Sequence, residues 1–130
     1  MTQQDSWYAY FHLRGSFDPD EITRAVGVTP TETAREGDPI GGGTKRRPCS
    51  LWALHARDKS AELEVQVRDV LDQLDANPSA FQRLSREHNG TMELVGYFCE
   101  REPGVALEPD LIARMAVYGL TLDCDFYDRH

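Results

Sequence analysis

Trp7-Tyr8-Ala9-Tyr10-Phe11-His12-Leu13-Arg14 is the stretch that decides the fold class. Trp7, Ala9, Phe11 and Leu13 fall on one side of a period of two; Tyr8, Tyr10, His12 and Arg14 fall on the other. Successive side chains of a strand point to opposite faces, so this is a strand with one apolar face to bury and one amphipathic face. The residues after it start a helix. Asp18 can cap, Pro19 suits the first helical position, and Glu21 stands where a capping-box acid would. Ile22, Ala25 and Val26 give that helix an apolar stripe, and Gly27 ends it because glycine tolerates positive φ.

Working outward, Thr29 to Pro48 is poorer in apolar residues. It holds a short strand near Thr33, then a flexible Gly-rich and basic loop over 37–48, with Gly41-Gly42-Gly43 followed by Lys45-Arg46-Arg47. Cys49 to Ala56 reads as a strand with Trp52 and Leu54 on one face. A long helix follows behind a Ser60 cap, with Leu63, Val67, Val70, Leu71 and Leu74 at helical spacing. Asn77-Pro78 interrupts it, and Phe81 with Leu84 carries a second segment to about Glu87. After the Asn89-Gly90 turn, Met92 to Cys99 is a strand with Met92, Leu94 and Phe98 on one face and Val95, Tyr97 and Cys99 on the other. The last helix runs from near Pro109 to Gly119, striped by Leu111, Ile112, Met115 and Ala116. Thr121 to Tyr127 closes the chain as a strand, with Leu122, Cys124 and Phe126 inward and Asp123, Asp125 and Tyr127 outward.

This order predicts an α+β fold: a mostly antiparallel sheet of four to five strands with helices on one face. Two segments also echo each other. Pro19-Asp20-Glu21-Ile22-Thr23-Arg24 leads to Gly27-Val28-Thr29, and Pro109-Asp110-Leu111-Ile112-Ala113-Arg114 leads to Gly119-Leu120-Thr121. An internal βαβ duplication would make the fold ferredoxin-like, with Arg24 and Arg114 in equivalent places.

Composition narrows the partners. The 130 residues suit one domain, 1–130, and carry 14 Lys+Arg against 22 Asp+Glu, a net charge of -8. Acidity repels phosphate backbones, so nucleic acid is an unlikely partner. Cys49, Cys99 and Cys124 are an odd number with no Cys-x-x-Cys pair, which argues against a disulfide framework. No apolar run approaches the ~20 residues of a membrane helix. The start from Met1 to Asp5 has neither a basic nor an apolar signal region, so no membrane role and a cytoplasmic location are expected.

The sharpest candidate site is the outward face of the first and last strands. If they are neighbours, Tyr8, Tyr10, His12 and Arg14 join Asp123, Asp125 and Tyr127 on one open surface. Tyrosine offers rigid contact area with a polar tip, which suits binding. The histidines His12, His55, His88 and His130 are scattered without metal-ligand spacing, so no metal and no cofactor are expected. Gly41 to Lys45 lacks the spacing of a phosphate-binding loop, and no nucleophile elbow is present.

Tyr10-Phe11-His12-Leu13-Arg14-Gly15, Phe17-Asp18-Pro19-Asp20-Glu21-Ile22-Thr23, Gly27-Val28-Thr29-Pro30-Thr31-Glu32-Thr33 and Arg35-Glu36-Gly37-Asp38 together resemble the bacterial family called domain of unknown function 4279. The resemblance extends through the Trp52 strand and Leu71-Asp72-Gln73-Leu74 to Pro109-Asp110-Leu111 and the closing strand. It implies a bacterial, cytoplasmic, single-domain protein and transfers no activity. Arg35 and Asp38 lie in loops that carry the resemblance without supplying core, which makes them candidates for the border of a working surface. The leading expectation is a non-enzymatic module binding a protein or small ligand, for example a basic partner neutralised in the manner of an immunity protein. An enzyme using His12 with Asp123 or Asp125 is the alternative. A homodimer joined through the tyrosine face is the third.

Overall fold

The computed structural model describes residues 4–130; Met1 to Gln3, part of the start read for a signal region, lies outside the described residues. The elements are β1 (Ser6–Gly15), α1 (Pro19–Val26), β2 (Glu32–Ala34), β3 (Ser50–His55), α2 (Leu63–Leu74), α3 (Pro78–Glu87), β4 (Thr91–Phe98), α4 (Pro109–Val117) and β5 (Thr121–Asp128). They form an α+β fold around one mixed sheet in the order β2-β3-β1-β4-β5. Three of its neighbouring pairs are antiparallel, and β4 with β5 is parallel.

The alternation in β1 sets the layers. Ala9, Phe11 and Leu13 share a core with Trp52 and Leu54 of β3 and Met92 and Leu94 of β4. Residues from all four helices enter that same core, among them Ile22, Val67, Leu71, Phe81 and Leu111. The helices therefore stack on one face of the sheet. Asp18 caps α1 by accepting from the Asp20 N–H, and Gly27 ends the helix at φ 70.

One contact explains how α2 is held. Before Tyr10, from Ser6 to Ala9, β1 has no registered partner on β3. There the buried Gln66 takes over: its Oε1 accepts from the Ala9 N–H at 2.9 Å, and its Nε2 donates to the Trp7, Lys59 and Ala61 carbonyls. A backbone group that would otherwise be buried without a partner is satisfied by a side chain.

Several local expectations are corrected. Ser60 does not cap α2; it bonds Asp58, and Glu62 occupies the cap position. The buried stripe of α4 is Leu111 and Met115, continued by Tyr118 beyond its end, while Ile112 and Ala116 face outward. Leu122 and Cys124 on β5 are exposed, Leu122 at 45%, and only Phe126 of the expected inward set is half-buried. The edge strand extends past the helix layer. Cys49 and Cys99 lie just outside their strands and are half-buried, so none of the three cysteines is deep core. The 37–48 loop folds back on itself, with Gly37 N–H bonded to the Arg47 carbonyl, Arg47 N–H to Asp38 and Ile40 N–H to Lys45.

The two echoing segments sit in different surroundings. The first leads from β1 to β2, and β3 lies between those strands; the second joins β4 to β5, which pair directly. Arg114 bonds Asp72 and Asp75, while Arg24 is exposed on α1.

Candidate functional site

The face of the sheet away from the helices is built by the other half of each strand's alternation. β1 contributes Tyr8, Tyr10, His12 and Arg14. Tyr10 stands opposite His55 on β3 and Glu93 on β4. Glu93 stands beside Asp123 on β5, Val95 beside Asp125, and Tyr97 beside Tyr127. β1 and β5 are not neighbours, the condition on which the candidate surface was drawn, because β4 runs between them. Glu93 is therefore the residue that connects the β1 aromatic row to the β5 carboxylates, and reading the sequence missed it.

The rings form two groups. Tyr10 stacks on His55 with centroids 4.6 Å apart and an interplanar angle of 5°, and Tyr8 lies 6.0 Å from Tyr10. Across the acids, Tyr97 stacks on Tyr127 at 5.0 Å. Each group carries a cation over an outer ring: Lys59 over Tyr8 at 5.8 Å and the Arg129 guanidinium over Tyr97 at 4.5 Å. Tyr127 is 48% exposed.

Between the groups lie the acids. Carboxylate oxygens of Glu93, Asp123 and Asp125 all lie within 4.8 Å of one another. Asp123 and Asp125 are exposed, but Glu93 is only 6% exposed and His12 likewise 6%. His12 Nε2 lies 3.2 Å from Glu93 Oε1. Burial, then the positive charge of Arg14, pushes His12 down to about 4, which leaves it neutral at ordinary pH. Burial and the two aspartates push Glu93 well above the usual carboxylate range. His12 Nδ1 and Glu93 Oε2 are both buried without a hydrogen-bond partner among the described residues.

The enzyme alternative placed His12 against Asp123 or Asp125, and the partner is Glu93 instead. His12 is also covered, so it is a floor residue of this face rather than an exposed one. Grooves of about 360 and 330 Å³ open at the Ser6 end of β1, one lined by Tyr97, Cys99 and Arg129 and the other by Trp7, Tyr8 and Lys59. Neither is lined by His12 or Glu93. Cys124 is no activated nucleophile, since burial and then the neighbouring acids raise its thiol.

Arg35 and Asp38 are not brought to this face. The Arg35 guanidinium bonds Asp18 at 2.8 Å and Asp20 at 2.6 Å, fastening the end of β2 to the start of α1. Asp38 uses its backbone in the folded-back loop.

A family model described as a domain of unknown function, DUF4279, matches residues 5–129. The chain belongs to the DUF4279 family. No curated protein and no solved structure matches it. In this DUF4279 chain the match takes in all five strands, so the residues of the open face lie inside it. His55, Glu93 and Tyr97 are the site residues that sequence reasoning passed over. Period two alone could have found Glu93, which shares its face with Val95 and Tyr97.

Proposed function

We propose that this protein is a non-enzymatic binding module, working through the open face of its sheet on a partner that brings positive charge to the centre of that face. One observation carries the reading: two groups of stacked rings flank a cluster of three carboxylates on the side that no helix covers. Aromatic faces and carboxylates both attract cations, and tyrosine adds contact area at low entropic cost. The same charge selects against phosphate backbones. His12 supports binding over chemistry, because a covered imidazole with its pKa pushed down to about 4 is a weak base out of a substrate's reach.

Capture from native lysate tests the reading, comparing wild type with Tyr8→Ala/Tyr10→Ala and with Ile112→Ala on the opposite side. A species retained by wild type and Ile112→Ala but lost from the folded tyrosine variant supports it. Identical capture by all three rejects the sheet face as the working surface.

A further inference from the structure

We propose that Glu93, Asp123 and Asp125 are ligands of one divalent cation of the calcium class. The inference rests on the reading of the open face as the working surface and names the positive charge at its centre. Three features of the geometry lead to it.

The first is placement. Parallel pairing puts Glu93 and Asp123 side by side, and Asp125 follows two residues along on the same face. The donor set is all carboxylate oxygen, which suits a hard cation; Cys124 belongs to the other face of β5, and His12 Nε2 is engaged by Glu93. The second is span. Donor oxygens across a calcium ion at about 2.4 Å from each are roughly 4.8 Å apart, whereas magnesium at about 2.1 Å draws them to roughly 4.2 Å. The three donors lie within 4.8 Å of one another, so one ion can reach all of them; calcium is favoured because magnesium gives up its waters reluctantly and demands a near-ideal octahedron.

The third is burial. The Glu93 side chain is 8% exposed, and its Oε2 is buried with no hydrogen-bond partner among the described residues. A buried carboxylate oxygen beside two other carboxylates needs a proton or a cation between them, and a cation satisfies all three at once. The other oxygen, Oε1, lies 3.2 Å from His12 Nε2, a contact that orients the Glu93 side chain. Three protein ligands leave the remaining positions to water. With so few ligands the affinity should fall in the weak range of calcium sites, about 10⁻⁵ to 10⁻³ M.

The experiment is titration of the metal-stripped full chain with calcium and with magnesium by calorimetry, alongside terbium luminescence excited through tyrosine. One saturable site is expected, at least about tenfold tighter for calcium than for magnesium. Glu93→Gln, Asp123→Asn and Asp125→Asn should each weaken it tenfold or more, and Glu64→Gln on the helix side should not. Asp125 is exposed, so its variant keeps the test valid should Glu93→Gln fail to fold. No saturable calcium binding at millimolar concentrations, or binding unchanged in Asp123→Asn and Asp125→Asn, overturns the site. Tyr8→Ala/Tyr10→Ala separates the two readings. It should retain calcium affinity within about twofold while losing partner capture, and capture that persists without any metal binding rejects the metal site alone.

Discussion

Around Phe11 and around Tyr10 the two faces of one sheet arrange aromatic residues differently. On the covered face Phe11 meets Phe81 edge-on, centroids 5.7 Å apart and planes at 87°, and meets Trp52 at 76°. On the open face Tyr10 and His55 are nearly parallel, as are Tyr97 and Tyr127. A packed core surrounds each ring from all sides, which permits the edge-to-face contact that ring quadrupoles prefer. An open sheet supplies neighbours only within its plane, at about the 4.8 Å spacing between strands. The stacking distances of 4.6 and 5.0 Å follow that spacing. The lesson is that the covered rings are fixed by packing and the open ones by strand register, so the two faces should respond differently to mutation.

The largest effect should come from the covered face. Phe81→Ala removes a fully buried ring that touches both Phe11 and Trp52, and urea unfolding should show a loss of about 3–5 kcal/mol. A loss below about 1 kcal/mol would mean that α3 does not close the core. Gln66→Ala comes next, at about 2–3 kcal/mol by the same measurement, because it leaves the buried Ala9 N–H without its acceptor and removes the amide's bonds to the Trp7, Lys59 and Ala61 carbonyls. If that variant matched wild type, water would have to replace the amide.

These two residues also mark what the sequence could and could not disclose. Phe81 was legible because helical spacing set it against Leu84 after Asn77-Pro78. Gln66 was not, since one polar residue within an apolar helix carries no periodic signal; its role depends on where β3 stops. The open face divides similarly. Tyr8, Tyr10, Asp123 and Asp125 could be assigned to outward positions from alternation alone, and they lie there. Glu93 could not be placed at the centre because strand order decides it, and only pairing shows β4 between β1 and β5. Leu122 and Cys124 failed for a third reason: alternation says which residues share a face, not whether a helix reaches far enough to cover it.

Tyr10→Ala should sharpen the comparison from the other side. Its ring is half-buried and stacked on His55, yet no helix packs on it. The expected loss is about 1 kcal/mol, well below that of Phe81→Ala. A loss equal to the Phe81 variant's would show that the open face is a second core, covered in solution by something the isolated chain recruits, and sedimentation would then report a dimer.

The smallest effect belongs to the rim where both faces end. Asp5 precedes β1 and accepts hydrogen bonds from the Cys99, Glu100 and Arg101 N–H groups, which closes the end of β4. Those backbone bonds, with the Arg101 charge behind them, hold its carboxyl below the usual aspartate value of 3.8. A carboxylate whose folded pKa is depressed binds fewer protons folded than unfolded. Its stabilising contribution is therefore fully present above about pH 4 and is lost as the pH falls through the lowered folded value. Asp5→Asn keeps an acceptor oxygen and removes the titration. Its melting temperature should lie below wild type at pH 7, and the gap should narrow steadily from about pH 4 downward as the wild-type carboxyl takes up its proton. A gap that stays constant from pH 7 to pH 2 would mean that the three N–H groups are held equally well by a neutral oxygen, and that charge at this rim contributes nothing to joining β1 with β4.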